Sequence, residues 1–170
     1  MPELPEVETT LRGIEPHLIN RAVKRVIVRD KRLRWPVPAD VKKAEGQKFI
    51  KLSRRGKYLL LNMTQGGLII HLGMSGSLRI LHHSLSPQKH DHVDVEMDNG
   101  VCMRFNDPRR FGAFLWTDAA LTDHELLREL GPEPLSDDFT ADYLYEQSRG
   151  RRVAGALPVI KSATPRDIEP

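Results

Sequence analysis

The chain has 170 residues, 39% hydrophobic and 29% charged, with a formal net charge of +3; that suffices for one well-cored domain, with or without an appendage, and not for two. No apolar run approaches the roughly 20 residues of a membrane-spanning helix, and the acidic, proline-punctuated start does not read as a signal peptide, so a cytoplasmic setting without a membrane partner is expected. The single cysteine, Cys102, excludes an internal disulfide or a multi-cysteine metal site within the chain, and its strand-like context makes it a small core residue.

The opening Met1-Pro2-Glu3-Leu4-Pro5-Glu6 admits two readings. If Met1 is removed, which the small residue behind it permits, Pro2 presents a free secondary amine. An α-amino group titrates at about pH 8, so a nucleophilic neutral fraction exists without burial. Glu3 and Glu6 then set two carboxylates near that amine for proton transfer. The other reading is an ordinary helix start, with Pro5 at the first helical position and acids in the first turn. Val7, Leu11, Ile14 and Leu18 recur at helical spacing and predict an amphipathic helix over 5–18, open to a bend at Pro16.

From Ala22 the pattern changes to short β-rich runs at Val23–Val28, Lys48–Ser53, Tyr58–Met63, Leu68–Leu72, Ser77–Leu81, His92–Met97, Val101–Asn106 and Gly112–Thr117. Gly56, Gly66-Gly67 and Gly73-Met74-Ser75-Gly76 punctuate them, and Asp98-Asn99-Gly100 is the strongest hairpin signal in the chain. With no helices between them, about eight such strands predict a mainly β fold, an antiparallel sandwich or barrel. After Trp116, Leu121, Leu126, Leu127 and Leu130 return to helical spacing before Gly131-Pro132, and Ser136-Asp137-Asp138 offers caps for a further helix toward Gln147. Ser148–Pro170 shows no amphipathic period and is expected to be poorly ordered.

Charge is unevenly spread. Arg21, Lys24, Arg25, Arg29, Lys31, Arg32 and Arg34 face Asp30 alone in sequence, and Lys51, Arg54, Arg55 and Lys57 follow. From Asp118 to Glu146 acids dominate, with Arg128 the only Lys or Arg. The distribution suggests a polyanion-facing surface and an acidic back, although basic runs are commonly just solvated faces.

Singly, the candidate residues are ambiguous. His71, His90 and His92 read as structural histidines, Lys57 as an exposed turn lysine, and Gly73–Gly76 as a flexible turn. Asp107-Pro108-Arg109-Arg110-Phe111-Gly112 stands out, because two arginines and an aromatic on a proline-anchored loop suit phosphate clamping beside an apolar wedge.

Together, Pro2–Glu8, Arg55-Gly56-Lys57-Tyr58, His71–Gly76, Lys89-His90-Asp91-His92 and Asp107–Gly112 resemble, in order, bacterial formamidopyrimidine-DNA glycosylases. The resemblance implies a two-layer antiparallel β-sandwich flanked by an N-terminal helix and one or two C-terminal helices. It also implies base-excision repair: removal of 8-oxoguanine and formamidopyrimidines from damaged double-stranded DNA, then strand cleavage. In that reading Pro2 attacks C1′ of the deoxyribose and displaces the base, and the iminium formed acidifies the sugar protons for β-elimination. Glu3 protonates the sugar ring oxygen or leaving group, Lys57 donates a proton or stabilises phosphate charge, and Glu6 positions the amine. Met74 and Phe111 match positions that fill the stack vacated by a rotated-out base, and Arg109 one that pairs with the orphaned partner. His90 and Arg151 match backbone-binding positions.

The resemblance ends near Val153, whereas the family continues into a helix-two-turns-helix module and a four-cysteine zinc finger. The expected layout is a catalytic sandwich over 1–135, the start of a linker or helix over 136–153, and a tail over 154–170 outside the family pattern. No metal ligands and no cofactor are expected in the chain, since the family's zinc belongs to the finger. The expected assembly is a monomer. Two activities remain open: a truncated or frame-shifted glycosylase and lyase with weakened action, or a catalytically inactive remnant that binds DNA weakly. A carbohydrate-binding sandwich is disfavoured by the 6% aromatic content.

Overall fold

The computed structural model describes residues 4–119 and Leu121. Helix α1 (Leu4–Leu18) continues through Pro16 and buries Val7, Leu11, Ile14 and Leu18, the stripe that its spacing predicts. Eight strands follow: β1 (Val23–Val28), β2 (Phe49–Arg55), β3 (Tyr58–Met63), β4 (Gly67–His71), β5 (Ser77–His82), β6 (Asp91–Met97), β7 (Val101–Asn106) and β8 (Ala113–Thr117). They agree with the expected runs to within one or two residues at each end. A short 3-10 helix over Ala39–Ala44, buried through Val41 and Ala44, was not predicted. The helices expected after Trp116 and the layout proposed for 136–153 and 154–170 lie outside the described residues.

The strands form two antiparallel four-stranded sheets, β1-β6-β7-β5 and β2-β3-β4-β8, which confirms the sandwich over the barrel. Val26, Val93, Val95, Met103 and Phe105 of the first sheet join Leu59, Leu61, Leu68, Ile70, Phe114 and Trp116 of the second in one core with the α1 stripe. Cys102 is buried, as expected.

On the other face of the first sheet the alternation runs polar, yet Asp94, Glu96, His92 and Arg104 are buried there as well. Arg25 and Arg29 from β1 and its following loop reach Glu96 and Asp94, and Arg104 donates to the Ser86 carbonyl of the loop after β5. Buried charges persist only when paired, and this face supplies the pairs.

Candidate functional site

Strand register brings the motif loops to one end of the sandwich. Tyr58 pairs with His71 and His71 with Ala113, so the Gly56-Lys57 turn, the Leu72–Gly76 loop and the Asp107–Gly112 loop all leave one end of the second sheet. In the first sheet Asn106 pairs with both Ser77 and Asp91, which puts His90 and the same two loops together. Lys57, Met74, His90, Arg109 and Phe111 therefore share one end although up to 54 residues separate them (57 to 111).

The Lys57 turn is tied to α1. Gly56 takes φ 60°, which the tight turn requires. Arg54 donates to the Gly56 carbonyl at 3.1 Å and to Glu8 of α1 at 2.9 Å. Hydrogen bonds from Arg54 and then Arg12 hold the Glu8 carboxyl below its ordinary range. The early turns of α1 and the Lys57 turn are thereby joined. Glu6 is exposed in the first turn of α1. Pro2, Glu3 and Arg151 lie outside the described residues.

Met74 is 40% exposed, unusual for so large an apolar side chain, on a loop that closes tightly. Gly73 adopts φ 63°, donates its amide to His71 Nδ1 at 2.9 Å, and approaches the Phe111-Gly112 backbone. That bond leaves the ring proton of neutral His71 on Nε2. Arg109 is exposed and lies over the Phe111 ring, 5.4 Å from its centroid. His90 and Arg110 both take left-handed backbone conformations, φ 71° and 62°. Such residues in non-glycine positions concentrate where surrounding structure holds a functional geometry.

Asp107, buried and exposed by 0%, underlies both loops. Its carboxylate accepts from Ser75 Oγ at 2.7 Å, Gly112 N at 2.8 Å and Arg110 N at 3.2 Å. Its carbonyl accepts from His92 Nε2 at 2.8 Å, which fixes the proton on that nitrogen, since a carbonyl cannot donate. The structural reading of His71 and His92 thus holds. Sequence reasoning missed the bonding roles of Ser75 and Asp107, and of Glu8 toward Arg54. A serine between glycines and an aspartate before proline are loop-bonding types, but their partner is visible only in three dimensions.

Two charge expectations need correction. Arg110 is not a free cation: it pairs with Asp30 at 2.9 Å and donates to the Arg32 carbonyl at 2.7 Å, from a backbone position with φ 62°. Arg32 and then Arg110 hold the Asp30 carboxyl far below the carboxylate range. The basic stretch from Arg21 to Arg34 is also less free than it looks, since Arg25, Arg29 and Arg32 pair with Glu96, Asp94 and Asp30.

Residues 1–114, which include every described site residue, match the family model "Formamidopyrimidine-DNA glycosylase N-terminal domain". The chain belongs to the formamidopyrimidine-DNA glycosylase family. It is 56% identical over 154 residues to the formamidopyrimidine-DNA glycosylase of Photobacterium profundum, covering 91% of this chain and 57% of that one. To the Escherichia coli O6:H1 enzyme of that name it is 54% identical with the same coverage. A Lactococcus lactis family member non-covalently bound to DNA containing an abasic site superposes with TM-score 0.65 at 27% identity, over 80% of this chain and 53% of that one. Another from the same organism, in complex with DNA containing N7-benzyl-Fapy-dG, gives TM-score 0.64 at 28% identity, over 75% and 46%. The chain thus spans about half the length of the family members that it matches. Among the described residues no group of three or more His, Cys, Asp or Glu is arranged to hold a metal ion, and no helix is long and apolar enough to cross a membrane. Cys102 alone does not fit the family's four-thiolate zinc site.

Proposed function

We propose that this chain carries the catalytic half of a DNA glycosylase and lyase that removes oxidised purines from duplex DNA. The observation that carries the reading is the convergence of Lys57, Met74, His90, Arg109 and Phe111 on one end of the sandwich, in a chain of this family. Residues 1–135 act as the catalytic domain.

Damaged duplex DNA docks on this end, His90 and Arg151 contact its phosphates, and the lesion rotates out. Met74 and Phe111 fill the gap, and Arg109, already braced on Phe111, meets the orphaned base. The neutral Pro2 nitrogen then attacks C1′. The C1′–N glycosidic bond breaks, the base leaves with a proton, and the sugar ring opens to a Pro2 iminium, assisted by proton donation from Glu3 to the ring oxygen. Loss of a C2′ proton expels the 3′ phosphate, whose charge Lys57 offsets. Glu6 helps to position the amine. The protein acts as a monomer in this scheme.

Borohydride trapping on an 8-oxoguanine duplex tests the reading. A covalent adduct is expected, and it is lost when Met1 is retained, because the Pro2 nitrogen is then an amide and no nucleophile. No adduct at low salt, with binding preserved, would instead establish a non-catalytic DNA-binding chain.

A further inference from the structure

The three segments that carry the wedge and the His90 contact meet at a side chain to which the scheme above assigns no contact with DNA. Asp107 receives the Ser75 hydroxyl from the Met74 loop and the Arg110 and Gly112 amides from its own loop. Its backbone completes the junction: its amide donates to the His90 carbonyl at 3.1 Å, and its carbonyl takes His92 Nε2. Ser75 Oγ, besides donating to Asp107, accepts the Arg109 amide at 3.0 Å. One hydroxyl therefore joins the residue after Met74 to the peptide of Arg109.

A second observation is steric. A Cβ on Gly73 would lie 2.5 Å from Gly112 N and 2.6 Å from Phe111 C, so the two loop backbones are already in contact beside the bridge. Hydrogen bonds fix direction as well as distance, and a carboxylate, which only accepts, holds several donors at once.

We propose that Asp107, acting through Ser75, is the positioning residue that makes the Met74 loop, the His90 corner and the Arg109–Phe111 loop move as one unit. The proposal deepens, and rests on, the reading of this end as a DNA site. Met74 and Phe111 must enter the same gap, and loops that ordered separately would each lose conformational freedom on binding. A pre-joined unit avoids that loss and couples wedge insertion to backbone grip.

The test uses the 170-residue chain with Ser75→Ala, Ser75→Thr and Asp107→Asn. In the free protein, Ser75→Ala is expected to speed amide hydrogen exchange at Arg109 about tenfold, and Asp107→Asn to do so at Arg110 and Gly112, with β3 and β4 amides unchanged. Ser75 is only half-buried, so its variants decide the question if Asp107→Asn does not fold. On a lesion duplex with 2-aminopurine beside the lesion, Ser75→Ala is expected to reduce the insertion equilibrium about tenfold, with affinity for undamaged duplex unchanged. Ser75→Thr restores both readouts. Wild-type exchange at Arg109 in Ser75→Ala, or a wedge defect that threonine fails to rescue, overturns the proposal. A wild-type chain that gives no 2-aminopurine response overturns the DNA reading instead, and the exchange data then decide the Asp107 bridge alone.

Discussion

Asp94 and Arg104 face each other across β6 and β7 as a buried two-pronged ion pair, Nε to Oδ1 at 2.9 Å and Nη2 to Oδ2 at 3.0 Å. Arg29 closes on the same carboxylate at 2.5 Å. Arg104→Met removes the two-pronged partner of a desolvated carboxylate and leaves it Arg29 alone, so it is expected to destabilise the chain by about 3 kcal/mol in urea unfolding, the low end of the cost of breaking a buried pair. The double variant Asp94→Leu with Arg104→Met should recover most of that loss. A single-variant loss below about 1 kcal/mol would mean that the pair behaves like a solvated surface bridge.

That face also shows where sequence reading stopped. The core was legible because Val93, Val95, Met103 and Phe105 alternate with polar neighbours and turn residues bound each run. Nothing in a strand written Asp-His-Val-Asp-Val-Glu-Met says that its polar side is buried as deeply as its apolar side; Arg25 of β1 and Arg29 of the loop after it cover it from 71 and 65 residues away. At the site, the motif residues were legible one by one, and their common end followed only from register. Arg109 and Arg110 look equivalent in sequence, yet Arg109 lies over Phe111 and Arg110 pairs with Asp30. The Ser75–Asp107 bridge joins residues 32 apart and left no periodic trace.

Two glycines should respond in opposite directions to alanine. Gly73 combines φ 63° with backbone atoms 2.5–2.8 Å from a built Cβ, so Gly73→Ala is expected to lower stability by about 2 kcal/mol or more and to separate the Met74 and Phe111 loops. Gly13 lies within α1 with open space around it, and Gly13→Ala should raise stability by about 0.5–1 kcal/mol. Thermal unfolding of both variants measures the contrast. A neutral Gly73→Ala would show that the loops separate without penalty.

Acid should expose the role of Asp91, which anchors the His90 corner. Burial opposes its charge, but the Gln88 amide, the Asn106 amide, Arg79 and Arg104 outweigh that and hold the carboxyl below its ordinary range. Because the folded value lies below the unfolded one of about 3.9, the stabilisation is complete above about pH 4 and is lost as pH falls through the folded value. Asp91→Asn is therefore expected to be less stable than wild type at pH 7 and to converge with it as the pH drops below about 4. Urea midpoints across that range decide it; a constant gap down to pH 3 would show that Asp91 contributes through packing and not through its charge.

Cys102 offers a probe of the same face, and as the only cysteine its labelling is unambiguous. Burial first, and then the negative charge of Asp94, push its thiol up to about 12. At pH 8 it should therefore carry on the order of a thousandfold less thiolate than an exposed cysteine of pKa about 8.5, and no reagent reaches it in the closed sheet. Alkylation by iodoacetamide is expected to proceed only through opening of β6 and β7, so its rate should rise with urea in step with global unfolding. Arg104→Met should accelerate labelling by the factor that its lost stability predicts, since the thiol and the ion pair sit on one face of one sheet. If labelling is fast in wild type without denaturant, the two strands open locally, and the buried ion pair does not close that face.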